Sequence, residues 1–339
     1  MTDVAVVAFA ETAGDENSTT SGVEMLVPAI ADALGQAGLD RREIGFWCSG
    51  SSDYLAGRAF SFVQAVDALG AVPPIAESHV EMDGAWALYE AWVKILTGDA
   101  ETALVYGFGK GTAGDLRRVL ALQLDPYLAA PLWPDATSLA ALQARLGIEA
   151  GLWSEKEMAE VAARPVSRAA DELLAEPYIA EPLRAHDCAR YTDGASVVIL
   201  AADTRARDLA DRPAWITGFA HRTDSGAIGS RDLTAAPSAA AAAQAAGALS
   251  GSVDVAELHA PFTHQELVLR AALDLPPTTR FSPSGGVFGE AGNPMFAAGL
   301  ARIGHAARAV LGGEAGRALG HATSGPCLQQ NLVCVLEAG

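Results

Sequence analysis

The chain is poor in basic side chains and cysteine, and it contains no long apolar segment. Lysine and arginine contribute 23 of its 339 residues, aspartate and glutamate contribute 41, and the formal net charge at pH 7 is −18. Nucleic acids and anionic membranes are bound by clusters of lysine and arginine, so this balance argues against either partner. No apolar run reaches the roughly 20 residues that span a bilayer, so we expect no membrane span.

The four cysteines, Cys48, Cys188, Cys327 and Cys334, show no C-x-x-C spacing. This pattern argues against a structural zinc site. The N-terminal segment lacks a basic stretch and a small-residue cleavage site, so it predicts a strand in place of a signal peptide. We therefore expect reduced thiols and a cytoplasmic location, and we expect no bound metal.

Residues 76–98 predict a short strand, a turn and a helix that is buried on most of its surface. Asp83 is a natural N-cap for this helix and Gly98 a natural stop. The free N–H groups and the dipole at such a helix start lower the pKa of a thiol or hold an anion. The turn itself carries no cysteine, serine or threonine. The segment is therefore shaped like a reactive site but lacks a nucleophile.

Strands alternate with helices along most of the chain, which is typical of a sheet covered on both faces. The helices include one over residues 58–69 and a long one over 294–311. Residues of about 110–183 interrupt the alternation, and they predict an insert with helices, one of them over 155–174, but no convincing strand. Half of the residues are apolar, so a large core is expected.

The order of elements before the insert is repeated after it. We therefore predict an α/β protein built from two similar halves, residues 1–205 with the insert and residues 213–339.

Five stretches, in the correct order, resemble the thiolase superfamily and in particular its sterol-carrier-protein-X-like, or lipid-transfer, branch. They are AGLD at 37–40, HDCARYTDGASVVIL at 186–200, VAELHAPFTHQE at 255–266, SPSGGVFGEAGNPMFAAGLARI at 282–303 and CLQQNLVCVLE at 327–337. The resemblance implies the duplicated, five-layered α-β-α-β-α thiolase fold and a dimer. It also implies binding of a coenzyme A thioester as substrate, with no covalently bound cofactor.

The departures from the family pattern bear directly on function. Thiolases carry an acylated cysteine at the start of the buried helix, where this chain has Asp83 and Gly84. Their Gly-His-Pro motif is replaced by a sequence with Asn293 in place of the histidine. Thiolysis requires a thiolate to form the acyl-enzyme, so we expect ordinary thiolysis to be absent.

The resemblance leaves three candidate catalytic residues. His259 lies where this branch has a histidine that helps to bind the thioester oxygen, and donors to that oxygen stabilise an enolate. Asn293 can donate to the same oxygen but cannot act as a base near pH 7. Cys327 aligns with the family's second cysteine, an acid–base group. The glycine-rich turn with Ser284, Gly285 and Gly286 is a weaker candidate for the coenzyme A side.

Each candidate also has a structural interpretation. His259 could be a satisfied core histidine, Cys327 an inert buried thiol and Asn293 a turn residue before a proline. Asp83 is foremost an N-cap. His264 and Glu266 are interpreted as residues of a helix start. The other three cysteines, Cys48, Cys188 and Cys334, are interpreted as core residues. His321 is a further polar candidate.

Three hypotheses follow. The first is a carbon–carbon lyase that cleaves a β-hydroxyacyl-CoA by retro-aldol chemistry, which needs an enolate pocket but no acylated nucleophile. Analogy with bacterial steroid side-chain degradation supplies its substrate class and a possible small partner with an OB fold and a zinc ribbon. The second is a catalytically silent subunit, paired with an active thiolase-like paralogue. The third is a carrier of acyl-CoA or lipid.

Overall fold

The computed structural model describes residues 2–13, 19–53, 61–70 and 74–339. The strands within these ranges are β1 (Val4–Ala13), β2 (Phe46–Gly50), β3 (Glu77–Val80), β4 (Thr102–Lys110), β5 (Tyr178–Ala180), β6 (Leu183–Arg184), β7 (Tyr191–Ala202), β8 (Ala214–Thr223), β9 (Val255–Glu257), β10 (Arg280–Phe281), β11 (Asn293–Pro294), β12 (Arg317–Ser324) and β13 (Gln330–Ala338). The α-helices in these ranges are α1 (Gly22–Ala37), α2 (Ser61–Leu69), α3 (Gly84–Leu96), α4 (Leu116–Leu122), α5 (Ala136–Glu149), α6 (Glu155–Val166), α7 (Ala170–Leu174), α8 (Asp203–Leu209), α9 (Pro237–Ala245), α10 (Thr263–Leu273) and α11 (Ala298–Leu311).

Two groups of five strands share one hydrogen-bonding pattern. In the first, β3, β2 and β4 are parallel, and β7 and β1 continue the sheet antiparallel. In the second, β10, β9 and β12 are parallel, and β13 and β8 continue antiparallel. A short antiparallel contact of β1 with β8 joins the groups. The repeated order predicted from the sequence is therefore present in the sheet; the exact boundaries of the halves stay a prediction.

The hydrophobic clusters place helices in three layers around the two groups of strands. Buried residues of α3 and α11, such as Leu88 and Ile303, pack against strands of both groups and form the middle layer. Helices α1 and α2 cover the outer face of the first group. Helices α9 and α10 cover the outer face of the second group, through residues such as Leu269. This arrangement confirms the predicted five-layered α-β-α-β-α fold.

The predicted insert is mostly helical, as expected, but two details differ. Residues 178–184 form the small antiparallel hairpin of β5 and β6, where no strand was expected. The single helix predicted over 155–174 is wrong, because Ser167 adopts a left-handed conformation with φ of 53° and separates α6 from α7.

The helix predicted over 294–311 begins four residues later than expected. Asn293 and Pro294 pair in parallel with β7 as the short strand β11, so α11 starts at Ala298. The first part of the helix predicted over 58–69 lies outside the described residues. Within the described ranges, no helix has both the length and the hydrophobicity needed to cross a bilayer.

Candidate functional site

A cavity of about 370 Å³ brings together four residues that the sequence singled out. Asp83 lies at the start of α3, His259 follows strand β9, and Asn293 begins β11. Cys327 lies in the connection between β12 and β13. The four residues are 3–6% exposed, and all of them line the cavity wall. Ends of elements from both halves of the sheet therefore meet at one place.

Hydrogen bonds fix the orientation of the His259 ring. Its Nδ1 accepts a long hydrogen bond, 3.5 Å, from the backbone N–H of Thr323. Because this nitrogen is an acceptor, the ring proton of the neutral imidazole is on Nε2, which donates to Asn293 Oδ1 at 3.1 Å. His259 is thus a donor toward Asn293.

Burial lowers the pKa of His259 to about 4, and the nearby charge of Arg302 acts in the same direction, although the hydrogen bond to Asn293 opposes it. An unperturbed histidine titrates near neutrality, but the buried imidazole of His259 stays neutral at pH 7. The geometry suits a fixed hydrogen-bond donor better than a proton shuttle.

The Asn293 side chain is left with an amino group that can donate. Its Oδ1 accepts from His259, so the Nδ2 group carries two N–H donors. In the part of the chain that the structure describes, no residue accepts from Nδ2. A buried donor of this kind on a cavity wall is suited to stabilise an oxygen that gains negative charge.

Cys327 is a buried thiol at neutral pH. Burial raises its pKa to about 11, and the positive charge of Arg231 only partly opposes this. The Sγ atom lies 3.6 Å from the carbonyl oxygen of Leu139. The Arg231 guanidinium donates to the carbonyls of Pro326 and Cys327 at 2.9 and 3.2 Å and so holds this loop in place. The thiol can give up a proton to a stronger base, but it is not a ready nucleophile.

The Asp83 carboxylate caps two helices. As predicted, it is the N-cap of α3, because Oδ1 accepts from the N–H of Ala85 at 2.9 Å. It also accepts from the N–H groups of Gly299 and Leu300, at 2.9 Å each, in the first turn of α11. Burial raises the pKa of Asp83, and these three backbone N–H groups oppose that rise.

Gly84, the neighbouring position, has no room for a side chain. A Cβ atom built there would lie 2.8 Å from Leu300 Cδ2 and 3.1 Å from Gly107 Cα. The Gly84 N–H donates to the carbonyl of Phe296 at 2.8 Å. The start of α3 is therefore filled by a carboxylate and by close backbone packing.

The glycine-rich turn does not belong to the wall of this cavity. Ser284 Oγ donates to Glu257 Oε2 at 2.7 Å and accepts from the Arg302 guanidinium at 2.7 Å. Glu257 and Arg302 are each about 2% exposed, so Ser284 completes a buried ion pair. Gly285 and Gly286 have φ of +94° and +60°, which favour glycine. Their role beside coenzyme A stays a prediction.

The remaining polar candidates have structural partners. The Glu266 carboxylate accepts from Arg164 at 2.7 and 2.8 Å and pairs with Arg270 at 2.6 Å. His321 is paired with Asn331 Oδ1 through Nε2 at 2.9 Å. His264 Nε2 contacts the side chain of a buried glutamine at 3.1 Å. Glu266 and His264 are thus held at the start of α10, in agreement with the structural interpretation of both.

Three further wall residues were missed in the sequence. Gln265 lies between His264 and Glu266 in the motif, and a polar side chain at that point of the turn was the only available signal. Tyr191 also lines the cavity, and burial, with the nearby Cys188, raises the pKa of its phenol to about 12. Thr323 contributes its backbone N–H, which donates to His259 Nδ1; a sequence does not reveal such a contact.

Sequence comparison finds relatives over nearly the whole chain. An acetyl-CoA acetyltransferase from Methanocaldococcus jannaschii is 26% identical over 349 residues, covering 90% of this chain and 88% of the relative. An acetyl-CoA acetyltransferase from Methanothermobacter thermautotrophicus is 25% identical over 366 residues, covering 94% and 93%. No protein-family model matches the chain.

Solved structures share the fold over their full length. The Ltp2-ChsH2(DUF35) aldolase superposes with a TM-score of 0.80 at 19% identity, covering 99% of this chain and 98% of the other. Human mitochondrial 3-ketoacyl-CoA thiolase gives a TM-score of 0.80 at 16% identity, with 99% of each chain covered. Its complex with CoA gives 0.78 at 16% identity, with 100% and 98% covered.

The match to thiolase structures agrees with the duplicated five-layered architecture described above. The full-length similarity to two acetyl-CoA acetyltransferases points to the same superfamily independently of the fold. The chain therefore has the thiolase fold, and its relatives support its placement in the thiolase superfamily.

Proposed function

We propose that the protein is a carbon–carbon lyase that cleaves a β-hydroxyacyl-CoA by retro-aldol chemistry, without an acyl-enzyme. One observation carries the proposal. The cavity offers the Nδ2 donor of Asn293, which His259 holds in place through Asn293 Oδ1, while the start of α3 presents a carboxylate and a glycine in place of a thiol. The site is therefore equipped to stabilise an enolate but not to form a thioester with the protein.

The reaction needs a base for the β-hydroxyl and a stabilised enolate, but no acylated nucleophile. A base removes the proton of the β-hydroxyl, the bond between the α and β carbons breaks, and a ketone or aldehyde leaves. The electron pair moves to the thioester oxygen as an enolate, which the Asn293 amide can stabilise. The α carbon then takes up a proton. Cys327 and Tyr191, whose pKa values are raised to about 11 and about 12, are protonated at pH 7 and can supply it.

The comparisons support the substrate class in outline. The relatives are named acetyl-CoA acetyltransferases, and one structural neighbour is named an aldolase. We extend these names to a steroid or lipid side chain as the acyl group, to a homodimer or a heterodimer with a paralogue, and to a small partner with an OB fold and a zinc ribbon. Each extension is part of the proposal.

The direct test is turnover. The purified protein, alone and with its candidate partner, is incubated with β-hydroxyacyl-CoA substrates of steroid and fatty type. The expected products are a ketone or aldehyde and the shortened acyl-CoA, both detectable by mass spectrometry. A complete lack of cleavage across both substrate types would contradict the proposal.

Variants separate catalysis from folding. Replacing a fixed donor to a developing oxyanion lowers kcat by roughly 10²–10³-fold, so Asn293→Leu should have this effect. His259→Gln should also lower kcat, because it disturbs the Asn293 amide. His321→Gln is the matched control, since His321 is equally buried but is bonded to Asn331. An equal loss in His259→Gln and His321→Gln would indicate a structural effect.

A silent subunit is the second candidate, and one observation favours it. The N–H groups of Ala85, Gly299 and Leu300 already donate to Asp83, so neither central helix offers these donors to a ligand. In this case the chain would serve an active paralogue. Cleavage by the assembled complex would then survive His259→Ala and Cys327→Ala in this chain, whereas the lyase proposal expects it to be lost.

A further inference from the structure

A buried cluster of amide and imidazole groups lies where α5 packs near α10, beside the cavity. It contains Gln143 of α5 and His264 and Gln265 of α10, which are at most 3% exposed. His264 Nε2 and Gln265 Nε2 each lie 3.1 Å from Gln143 Oε1. Of the three, Gln265 lines the cavity.

The hydrogen bonds of the cluster determine the direction of every amide. Gln143 Nε2 donates to the carbonyl oxygen of Leu233 at 2.8 Å. A carbonyl oxygen only accepts, so Gln143 Oε1 must be the acceptor at the other end of the amide. Gln265 therefore turns its amino group to Gln143 and its carbonyl oxygen away. His264 must likewise carry its proton on Nε2.

This arrangement leaves two acceptors without donors. Within the described ranges, Gln265 Oε1 and His264 Nδ1 are buried side-chain atoms with no hydrogen-bond partner. Most buried polar atoms have a partner, and an unmade hydrogen bond at a buried group is costly. The oxygen itself is enclosed, but the Gln265 side chain belongs to the cavity wall, so a molecule in the cavity is the nearest source of a donor once the side chain shifts to expose its oxygen.

The surroundings of Gln265 limit the kind of group that can donate to its oxygen. A fixed carbonyl oxygen repels carboxylate, phosphate and enolate oxygens, so the partner is a group that donates, such as a hydroxyl or an amide N–H. The neighbouring wall is apolar, with Leu139, Ala140, Phe262 and Leu328, and suits a hydrocarbon chain. These residues fit a chain that carries one hydroxyl group.

We propose that Gln265 is a specificity-determining residue, which accepts a hydrogen bond from a hydroxyl group on the acyl part of the bound thioester. The proposal rests on the proposed function, because it identifies the group that distinguishes a hydroxyacyl-CoA from related thioesters. Gln265 is not assigned any proton transfer, since an amide is not basic. Its role is to favour the hydroxylated ligand and to orient the hydroxyl.

The first experiment measures binding and does not depend on turnover. Dissociation constants of the unmodified protein are determined by calorimetry for β-hydroxyacyl-, β-ketoacyl- and saturated acyl-CoA of equal chain length. We expect the hydroxyacyl-CoA to bind about tenfold more tightly or better, because only it can satisfy the buried acceptor. Equal affinities for the three thioesters would overturn the proposal.

The second experiment changes the acceptor. Gln265→Met keeps the length of the side chain, and Gln143 Oε1 retains the hydrogen bond from His264. In this variant the hydroxyacyl-CoA and the saturated acyl-CoA should bind with about equal dissociation constants. The dissociation constant of the saturated acyl-CoA should stay that of the unmodified protein. Gln244→Met is the matched control, because Gln244 in α9 is exposed and is not on the cavity wall; it should keep the preference.

The outcomes distinguish the alternatives. If Gln265 only supports Gln143, the variant unfolds at a lower temperature but keeps the preference of the unmodified protein, and the proposal is wrong. If the donor were an amide of the coenzyme A arm, Gln265→Met would weaken all three thioesters equally, which also overturns it. A hydroxyl preference without cleavage would reject the lyase and keep this proposal. Cleavage of the hydroxyacyl-CoA that Gln265→Met leaves unchanged would keep the lyase proposal and reject this one.

Discussion

Asp83 has a larger structural role than a single helix cap. Its two oxygens accept hydrogen bonds from three buried backbone N–H groups, one in α3 and two in α11. Both helices belong to the middle layer of the fold, so one carboxylate joins the starts of the two buried helices. A partial negative charge at a helix N-terminus is favourable for both macrodipoles.

Asp83→Ala should destabilise the protein by roughly 3–5 kcal/mol, because three buried donors lose their acceptor. The free energy of unfolding by urea measures the effect. Asp115→Ala is the control, since exposed Asp115 caps α4 through one hydrogen bond, from the Arg118 N–H at 3.1 Å; it should cost about 1 kcal/mol. Equal losses in the two variants would refute the double-cap role.

The sequence predicted only part of this residue's role. An aspartate before an apolar helical pattern is a local signal, and it correctly placed the N-cap of α3. The second set of donors is 216 and 217 positions away in the chain, and no local pattern reveals it. The lowered pKa of His259 is not a local property either, because its burial depends on elements from both halves.

The helices of the middle layer approach one another and the sheet through glycines. A Cβ at Gly84 would lie 2.8 Å from Leu300 of α11, and a Cβ at Gly304 of α11 would lie 2.2 Å from Phe9 of β1. Such contacts require that something shift. The absence of side chains at these positions therefore sets the spacing of α3, α11 and the strands.

Gly84→Ala should cost roughly 1–3 kcal/mol, because the added methyl group overpacks the contact with Leu300 and Gly107. Gly35→Ala in α1 is the matched control, since a Cβ there meets no atom within 4 Å. It should be neutral or stabilise the helix by roughly 0.5–1 kcal/mol. Thermal and urea unfolding of both variants provide the measurement, and a stabilised Gly84→Ala would contradict the packing argument.

The elements that the sequence mispredicted are those decided by tertiary contacts. The apolar run after Asn293 fits a helix, but pairing of Asn293 and Pro294 with β7 delays the helix to Ala298. The hairpin of β5 and β6 is two to three residues per strand, too short for a periodic pattern. By contrast, α3 was predicted closely, because its period, its cap and its stop agree.

For the whole molecule, the alternation of strands and helices was sufficient to predict the architecture. The two groups of strands repeat the same parallel and antiparallel order, which follows from the repeated order of elements in the chain. The candidate site was harder to predict, because it forms where the ends of β9, β11 and α3 meet. The resemblance to a family named His259, Asn293 and Cys327, whereas Gln265 and the Thr323 N–H required coordinates.

Three buried histidines should make the protein sensitive to mild acid. Burial lowers the pKa of His259 to about 4 and the pKa values of His264 and His321 to about 3. An unfolded histidine has a pKa of about 6.5, so the unfolded chain binds more protons below that pH. Stability is therefore full above about pH 6.5 and falls as the pH decreases toward 4.

Between pH 7 and pH 5.5, each of these histidines should remove roughly 1.3 kcal/mol from the free energy of unfolding, and the three together roughly 4 kcal/mol. Burial raises the pKa of Asp83 and Asp187, which acts in the opposite direction, so a histidine variant is needed to isolate the loss that belongs to the histidines. Urea unfolding at the two pH values measures the loss. His264→Gln should reduce it by about one third, because the histidines contribute similarly. An unchanged free energy between the two pH values would show that these side chains are not buried in solution.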